Sequence, residues 1–566
     1  RPVSWERALD AAKVIGRHKG HTAALVGGQA TNEEAFLLQR LLREGMDSGD
    51  VDCRVGPPLP LELHQALAAP ALAATVSDLE WARAVLVLDC EPVDEAPILE
   101  LRLRKGHRRH RVALAIAGAR PSALDADAAL TLRYEPGGGP AFVAALRAAL
   151  RGGPADGPLA ELVALLRGRE GEANAGEVVI LWSERLARGP HGPGALADLH
   201  AVAGLLGLAE TAGAGLLEVP SSPNGRGLRE AGMLPGIGPG YAAARPGRDA
   251  AEIARATAAG EITALYLLGT DPLDSHPDHE GWERALEKAS TIVAHAEFLT
   301  EGLREHATVV FPAQSYAEKE GTVVHPDGRL QRLRPGIANP GTVRPEWYVL
   351  ADVADRVGHS LGILTGAAAT AQLIDAVPFY HGLSLEEIGG RGVRWPERDS
   401  AARLPAATPT PGGGGAGAER PAPEGALRLG TYRPVWASAA VQASPALAFL
   451  HPLARVELSP ADAAERGLEH GQQVQVRDLA DETRALLAIV ELRHAVPAGS
   501  AFLPEGIPGA PATRFTGADG AVFVQVEIPP EPEPELEGEL DESGMPIVVG
   551  GEDFEPPEAS PEPELP

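Results

Sequence analysis

Few residues in this 566-residue chain have the types and spacing that chemistry demands. The two cysteines, Cys53 and Cys90, form no C-x-x-C pair and are too few for a cubane iron–sulfur cluster, which needs four thiolates. No H-E-x-x-H, G-x-S-x-G or Walker A run occurs. The 17 histidines are scattered, and the pairs His18/His21, His107/His110 and His276/His279 lack an accompanying cysteine or carboxylate shell. No catalytic residues and no metal ligands are expected. Two polar stretches remain. In the first, Gly27-Gly28 closes an apolar run and Thr31-Asn32-Glu33-Glu34 opens a helix as a capping box. Backbone N–H groups so placed either face a phosphate or merely turn the chain. The second is 308–331. There Pro312 stops a β-branched strand, Glu318, Lys319 and Glu320 form a polar helical turn, and Gly321 breaks it. Thr322-Val323-Val324, a turn at Pro326-Asp327-Gly328, and then Arg329 and Gln331 complete the stretch.

The elements that must position these residues are apolar runs separated by helical patterns. Residues 22–26, 84–89, 112–117, 178–182, 264–269 and 291–296 are apolar nearly throughout, the pattern of parallel strands buried on both faces. Helices are expected from Ser4 as N-cap, near 95–105, near 195–207 and over 345–357. Residues 404–425 are a Pro/Gly/Ala linker without periodicity. Beyond it, short strands at 427–432, 454–458, 473–477, 485–492 and 522–528 surround one helix with Ser459 as N-cap, Pro460 at the first position and Gly467 at the C-terminal cap.

Composition excludes several classes. The net charge is −28, with 13 acidic residues and no Lys or Arg in 531–566, so a nucleic-acid-binding stripe is not expected. The most basic stretch is 105–111 (KGHRRHR), which reads as a solvated helix end. No apolar run approaches the roughly 18–20 residues of a membrane span. The Pro/Glu-rich 531–566 segment has too few apolar residues to fold alone and is expected to be a disordered acidic tail. The first residue is Arg, which suggests a piece of something longer.

The order of parts around Lys319, P-A-x-x-x-x-E-K-x-G-T followed by G-R-x-Q, resembles the molybdopterin-oxidoreductase superfamily. More narrowly it resembles the large iron–sulfur subunit, the G subunit, of the respiratory NADH–quinone oxidoreductase, complex I. His325-Pro326-Asp327 departs from the residues more usual there. The run G-x-x-T-N-E-E-x-x-x-L-Q from Gly28, the loop from Asn224 to Gly236 (N-x-R-G-L-R followed by G-x-L-P) and Thr270-Asp271-Pro272 are similar to the same family. So is L-S-P-A-D-A-A-E-R-G-L from Leu458 to Leu468, which resembles its C-terminal domain. Asp52-Cys53-Arg54 is similar to the segment that precedes the molybdenum-ligand loop, yet Val55 to Pro60 offer no ligand and Cys53 stands before the arginine. The resemblance implies an α/β fold of two interlocked parallel units (1–170 and 171–300), a return segment completing the core (301–403), the 404–425 linker, a β-barrel of double-psi type (426–530) and the tail. It implies vestigial pterin-pocket positions at Gly27, Gly28, Thr31, Asn32, Arg54, Gly321 and Arg329. It further implies a structural role in the peripheral arm, beside other complex I subunits, at the cytoplasmic face of the cell membrane without a span of its own. No cofactor is expected in this chain, with iron–sulfur clusters in an upstream part. The competing expectation is an active molybdopterin-dependent oxidoreductase of the formate-dehydrogenase kind.

Overall fold

Two five-stranded parallel sheets carry the fold. The computed structural model describes residues 1–169, 171, 174–412, 422–507, 511–516 and 522–529. The first sheet runs Val309–Pro312, Thr291–Ala296, Ala264–Leu268, Thr22–Val26, Val51–Asp52. The second runs Leu130–Arg133, Ala113–Gly118, Ala84–Leu88, Val178–Ser183, Gly215–Val219. Each is apolar at successive positions because helices cover both faces. In the first sheet Ala24, Val26, Tyr266 and Leu268 enter one core, while Ala23, Leu25, Leu265 and Leu267 enter the opposite one. In the second, Leu86, Leu88 and Ile180 face one core and Val85, Val87 and Val179 the other. Each buried Leu or Val contributes roughly 1.5–3 kcal/mol, so neither face tolerates a polar residue cheaply.

The whole second sheet is inserted between Val51–Asp52 and Ala264–Leu268 of the first. The expected divide at 170/171 therefore falls inside the second sheet, where Ala84–Leu88 pairs with Ala113–Gly118 on one side and Val178–Ser183 on the other. The segment after the first sheet's edge strand makes an antiparallel hairpin, Gly321–Val324 with Arg329–Leu333, extended by Val393–Arg394. Residues 316–318 form a turn and Lys319 and Glu320 no helix, against the helical turn expected there, because the Lys319 side chain is drawn into the bonds described below. The C-terminal region closes a six-stranded barrel that includes Ser500–Pro504, a strand its sequence did not announce. The barrel is tied to the α/β core. Glu457 accepts two bonds from Arg120 (2.8 and 2.9 Å), whose guanidinium lies 3.6 Å from the centre of the Tyr432 ring. Arg188 pairs with Glu505 at 3.1 Å. Among the described residues no helix is long and apolar enough to cross a membrane. The middle of the expected linker (413–421) and the expected acidic tail lie outside the described residues.

The helix Asn32–Arg40 starts at the capping box expected from sequence, Thr31 accepting from the Glu34 amide and Glu34 from the Thr31 amide. Its first two glutamates are buried. Glu33 accepts from the Thr322 amide (2.7 Å) and from the hydroxyls of Thr322 (2.9 Å) and Thr370 (2.8 Å). Burial still pushes its carboxyl above the usual range. Glu34 takes two bonds from Lys319 Nζ, at 2.9 and 3.1 Å, and Lys319 donates a third to Glu346 Oε1 at 2.6 Å. Burial would depress the ammonium, but Glu34 and Glu346 more than offset it and hold it charged. One cation shared by two carboxylates leaves Glu346 poorly compensated. Burial first, and then the Glu34 charge, push it up to about 8.

Lys319→Met strands two buried carboxylates and should lower stability by about 3–5 kcal/mol, read as a lower unfolding midpoint. Glu346 yields a pH test. Between the ordinary glutamate value and about 8, the folded chain holds a proton that the unfolded chain has lost. Stability from this group is therefore complete at acid pH and falls as pH rises through that window. Glu346→Gln should gain on the parent chain in urea midpoint between pH 5 and pH 8.5. An unchanging difference between the two would refute the assignment.

Candidate functional site

The site grows from the carboxyl ends of the parallel strands, where α/β folds place ligands. After Thr22–Val26 the chain turns through Gly27 and Gly28 into Asn32–Arg40. A Cβ on Gly27 would sit 2.1 Å from Gly269 O, and one on Gly28 would sit 2.5 Å from Ser222 Cβ. These glycines admit neighbouring chain. The Gly27 amide donates to Leu268 O at 2.9 Å and the Ala30 amide to Gly27 O at 3.1 Å, so neither is free for a phosphate. Asn32 donates to Thr322 Oγ1 (3.0 Å) and accepts from Asn224 Nδ2 (3.0 Å). Asn224 also donates to Ala30 O and accepts from the Val324 amide, both at 2.9 Å. Gly321, at φ +144°, lies where a Cβ would be 2.8 Å from Glu33 Oε2. Gly27, Gly28, Thr31, Asn32 and Gly321 are thus one meshwork joining the first βα turn, the 222–224 loop and the hairpin.

Arg54 belongs to a different set. Its Nε donates to Glu184 Oε1 at 2.7 Å and its Nη1 to Pro57 O at 3.1 Å. Arg229 reaches the same Glu184 oxygen at 3.4 Å and Glu218 at 2.5 Å, and the Ser221 amide donates to Glu184 Oε2 at 2.9 Å. Burial alone would raise the Glu184 carboxyl, but the Arg54 and Arg229 guanidinia outweigh it and hold the group down at about 2. Beside them, Arg226 pairs with the fully buried Glu230 (2.8 Å), which also accepts from Trp395 Nε1 (3.2 Å) and the Tyr380 hydroxyl. His64 stacks on Tyr241 with ring centres 5.8 Å apart, and burial drives its pKa well below the usual value, so it is neutral. Arg329 is the one expected position that neither set contains. It begins the hairpin strand Arg329–Leu333, with its amide on Asp327 Oδ1 at 3.1 Å.

Arg54, His64, Trp182, Glu184, Arg229 and Tyr241 border a cavity of ≈ 30 Å³. That is room for about two water molecules, whereas a drug-sized ligand takes about 300–1,000 Å³. The void beside these side chains is far smaller than that, and Arg54 Nη2 and Arg226 Nη2 border it without a hydrogen-bond partner. Among the described residues no group of three or more His, Cys, Asp or Glu could hold a metal ion. The Cys53 thiol is pushed far up by burial and then by the Asp52 carboxylate, away from the thiolate that metals bind. Asp52 itself is pushed up to about 7 by burial, although the amides of Cys53, Arg54 and Ala250 donate to its oxygens.

The sequence pattern of the molybdopterin oxidoreductase family matches residues 1–356, and that of the molybdopterin dinucleotide binding domain matches 427–524. The chain belongs to the molybdopterin oxidoreductase family. Among its relatives is the NADH-quinone oxidoreductase G subunit 2 of Rhizobium meliloti, 29% identical over 89% of this chain and 62% of that protein. This meets the expected likeness to the complex I G subunit. Another is the NADPH-Fe(3+) oxidoreductase subunit alpha of Geobacter sulfurreducens, 27% identical over 92% of this chain and 66% of that protein. The chain thus spans about two thirds or less of the length of these relatives. Acetylene hydratase from Pelobacter acetylenicus shares the fold, at TM-score 0.65 and 13% identity over 94% of this chain and 90% of that one.

Of the cluster Arg54, Glu184, Arg229 and Glu218, only Arg54 was among the residues singled out from sequence. Arg226 and Arg229 stand inside a family-like loop motif, whereas Glu184 and Glu218 carry no local signal. The thiols give a direct check. Burial raises both Cys53 and Cys90, so iodoacetamide at pH 8 should label neither in the folded chain, while urea should expose two sites by mass spectrometry. Cys53 is half-buried and Cys90 buried, so rapid native labelling of Cys53 would contradict a thiol held up by its surroundings and by Asp52.

Proposed function

We propose that this chain is a structural and assembly part of the peripheral arm of an NADH–quinone oxidoreductase, keeping the molybdopterin-type fold without its cofactor. The parent complex would pass electrons from NADH through iron–sulfur clusters, held in other parts, to quinone. The chain would sit beside neighbouring arm subunits at the cytoplasmic face of the cell membrane. The observation that carries this reading is the Arg54–Glu184–Arg229–Glu218 cluster, in which two guanidinia meet two carboxylates, with Arg54 Nη2 left without a partner, beside a void of ≈ 30 Å³. A site awaiting an anionic cofactor would be expected to keep cations in excess. Kinship with a complex I G subunit over most of the chain supports the same reading.

Metal analysis and pterin fluorescence of the purified chain test it. Neither molybdenum nor tungsten should appear above trace level, and oxidative extraction should release no fluorescent pterin. A stoichiometric signal of either metal would overturn the proposal in favour of an active molybdopterin oxidoreductase of the formate-dehydrogenase kind.

A further inference from the structure

The second sheet carries a surface unlike the rest of this acidic chain. Helix Pro97–Lys105 buries Leu99 and Leu103 and turns Ile98 and Leu101 outward, each 59% exposed. Arg102 and Lys105 share that outward face by helical spacing, and both reach Glu80. The neighbour of Glu80 is Trp81, 62% exposed, whose ring stacks on His110 at 3.7 Å. The short helix Asp78–Trp81 packs against Pro97–Lys105 and against the wide turn Gly106–His110, so these side chains share one surface. Arg108 and Arg109 stand exposed on that turn. From 102 to 111 the chain has six Lys or Arg and no Asp or Glu. Glu80, Glu100 and Asp127 are the carboxylates that pair with this set, leaving cations in excess. A solvated helix end needs no apolar side chains. Three large ones kept in water amid cations are the composition of a docking face, apolar at the centre and charged at the rim.

We propose that Trp81, Ile98 and Leu101, rimmed by Arg102, Lys105, Arg108 and Arg109, dock an acidic segment of a neighbouring protein that carries apolar anchors. The sign follows from charge complementarity, since the patch is locally positive on a chain of net charge −28. The proposal rests on the assembly reading above and names a surface for it. Apolar anchors supply affinity, and the cationic rim speeds the encounter in a salt-dependent way.

The probe is an amphipathic Glu/Leu peptide of about twenty residues, with a Lys/Leu peptide and phosphatidylglycerol vesicles as controls. Binding of the full chain is followed by tryptophan fluorescence from 20 to 300 mM salt. The Glu/Leu peptide should bind and weaken with salt. Arg108→Glu/Arg109→Glu should lose on the order of tenfold at low salt and little at high salt, while Ile98→Ser/Leu101→Ser should lose affinity at every salt concentration. No binding of the acidic peptide, equal binding of the basic one, or binding to vesicles alone would overturn the proposal. In cells, both double variants should enter the parent complex less than the unaltered chain, with unchanged melting temperatures. Normal entry of both variants would sink the docking face and leave the assembly reading standing. If the unaltered chain enters no complex, the assembly reading fails, and the peptide measurement still judges the surface.

Discussion

A charge taken out of water must find an opposite charge within the protein, and this constraint fixes the centre of the molecule at Lys319. Its ammonium is 4% exposed and shared by Glu34 and Glu346, residues from the helix that follows the strand Thr22–Val26 and from a helix more than three hundred positions later. Removing Lys319 leaves two buried carboxylates without a counter-charge, a cost several times that of a surface pair. The hairpin that begins at Gly321 can therefore sit in only one place against the start of Asn32–Arg40. Glu33 reinforces that register through Thr322 and Thr370. The N-terminus of the helix also favours its two glutamates electrostatically, so backbone and side chains support the same arrangement.

The same device recurs where the two sheets meet. Arg54 follows a strand of the first sheet, Glu184 follows a strand of the second, and Arg229 lies on the helix Gly225–Glu230 beyond the last strand of that sheet. Their pairing joins the sheets through the crevice that such topologies usually reserve for a ligand. Arginine suits this task because its planar fork reaches two partners at once. Arg54 holds Glu184 and Pro57 O, and Arg229 holds Glu184 and Glu218.

The strands were legible because their burial is two-sided. Ala84–Leu88 and Ala264–Leu268 are apolar at every step, a pattern that only a covered parallel strand explains. The caps at Ser4, Thr31 and Ser459 were legible because capping is local and depends on a residue three positions away. Insertion of one sheet within the other was not legible, since strand order depends on pairing between distant segments. Ser500–Pro504 hid for a related reason. It is short, buried at every position and closed by a proline, and it becomes a strand only because Leu427–Tyr432 and Arg455–Leu458 flank it. At the site, Arg54 could be read from its neighbours, but Glu184 is 130 residues away and nothing around it announces a buried carboxylate. Arg329 stands apart from Arg54 because the strand register sets it at the start of the hairpin strand.

The Glu184 pairing explains how several charges can be buried together in a ligand-type crevice. Three arginines converge there, and without counterions they would repel one another and hold water or an anion. Glu184, Glu218 and Glu230 are those counterions, each supplied by the chain itself. The arrangement costs desolvation, so it is a weak source of net stability. Its effect is specificity, because any slippage between the sheets would separate charges that water cannot reach. Interior and surface then follow opposite rules. At the crevice, Arg54, Arg226 and Arg229 meet Glu184, Glu218 and Glu230 beside a small void. Outside, residues 102–111 keep cations in excess beside uncovered apolar side chains, the surface proposed above for docking.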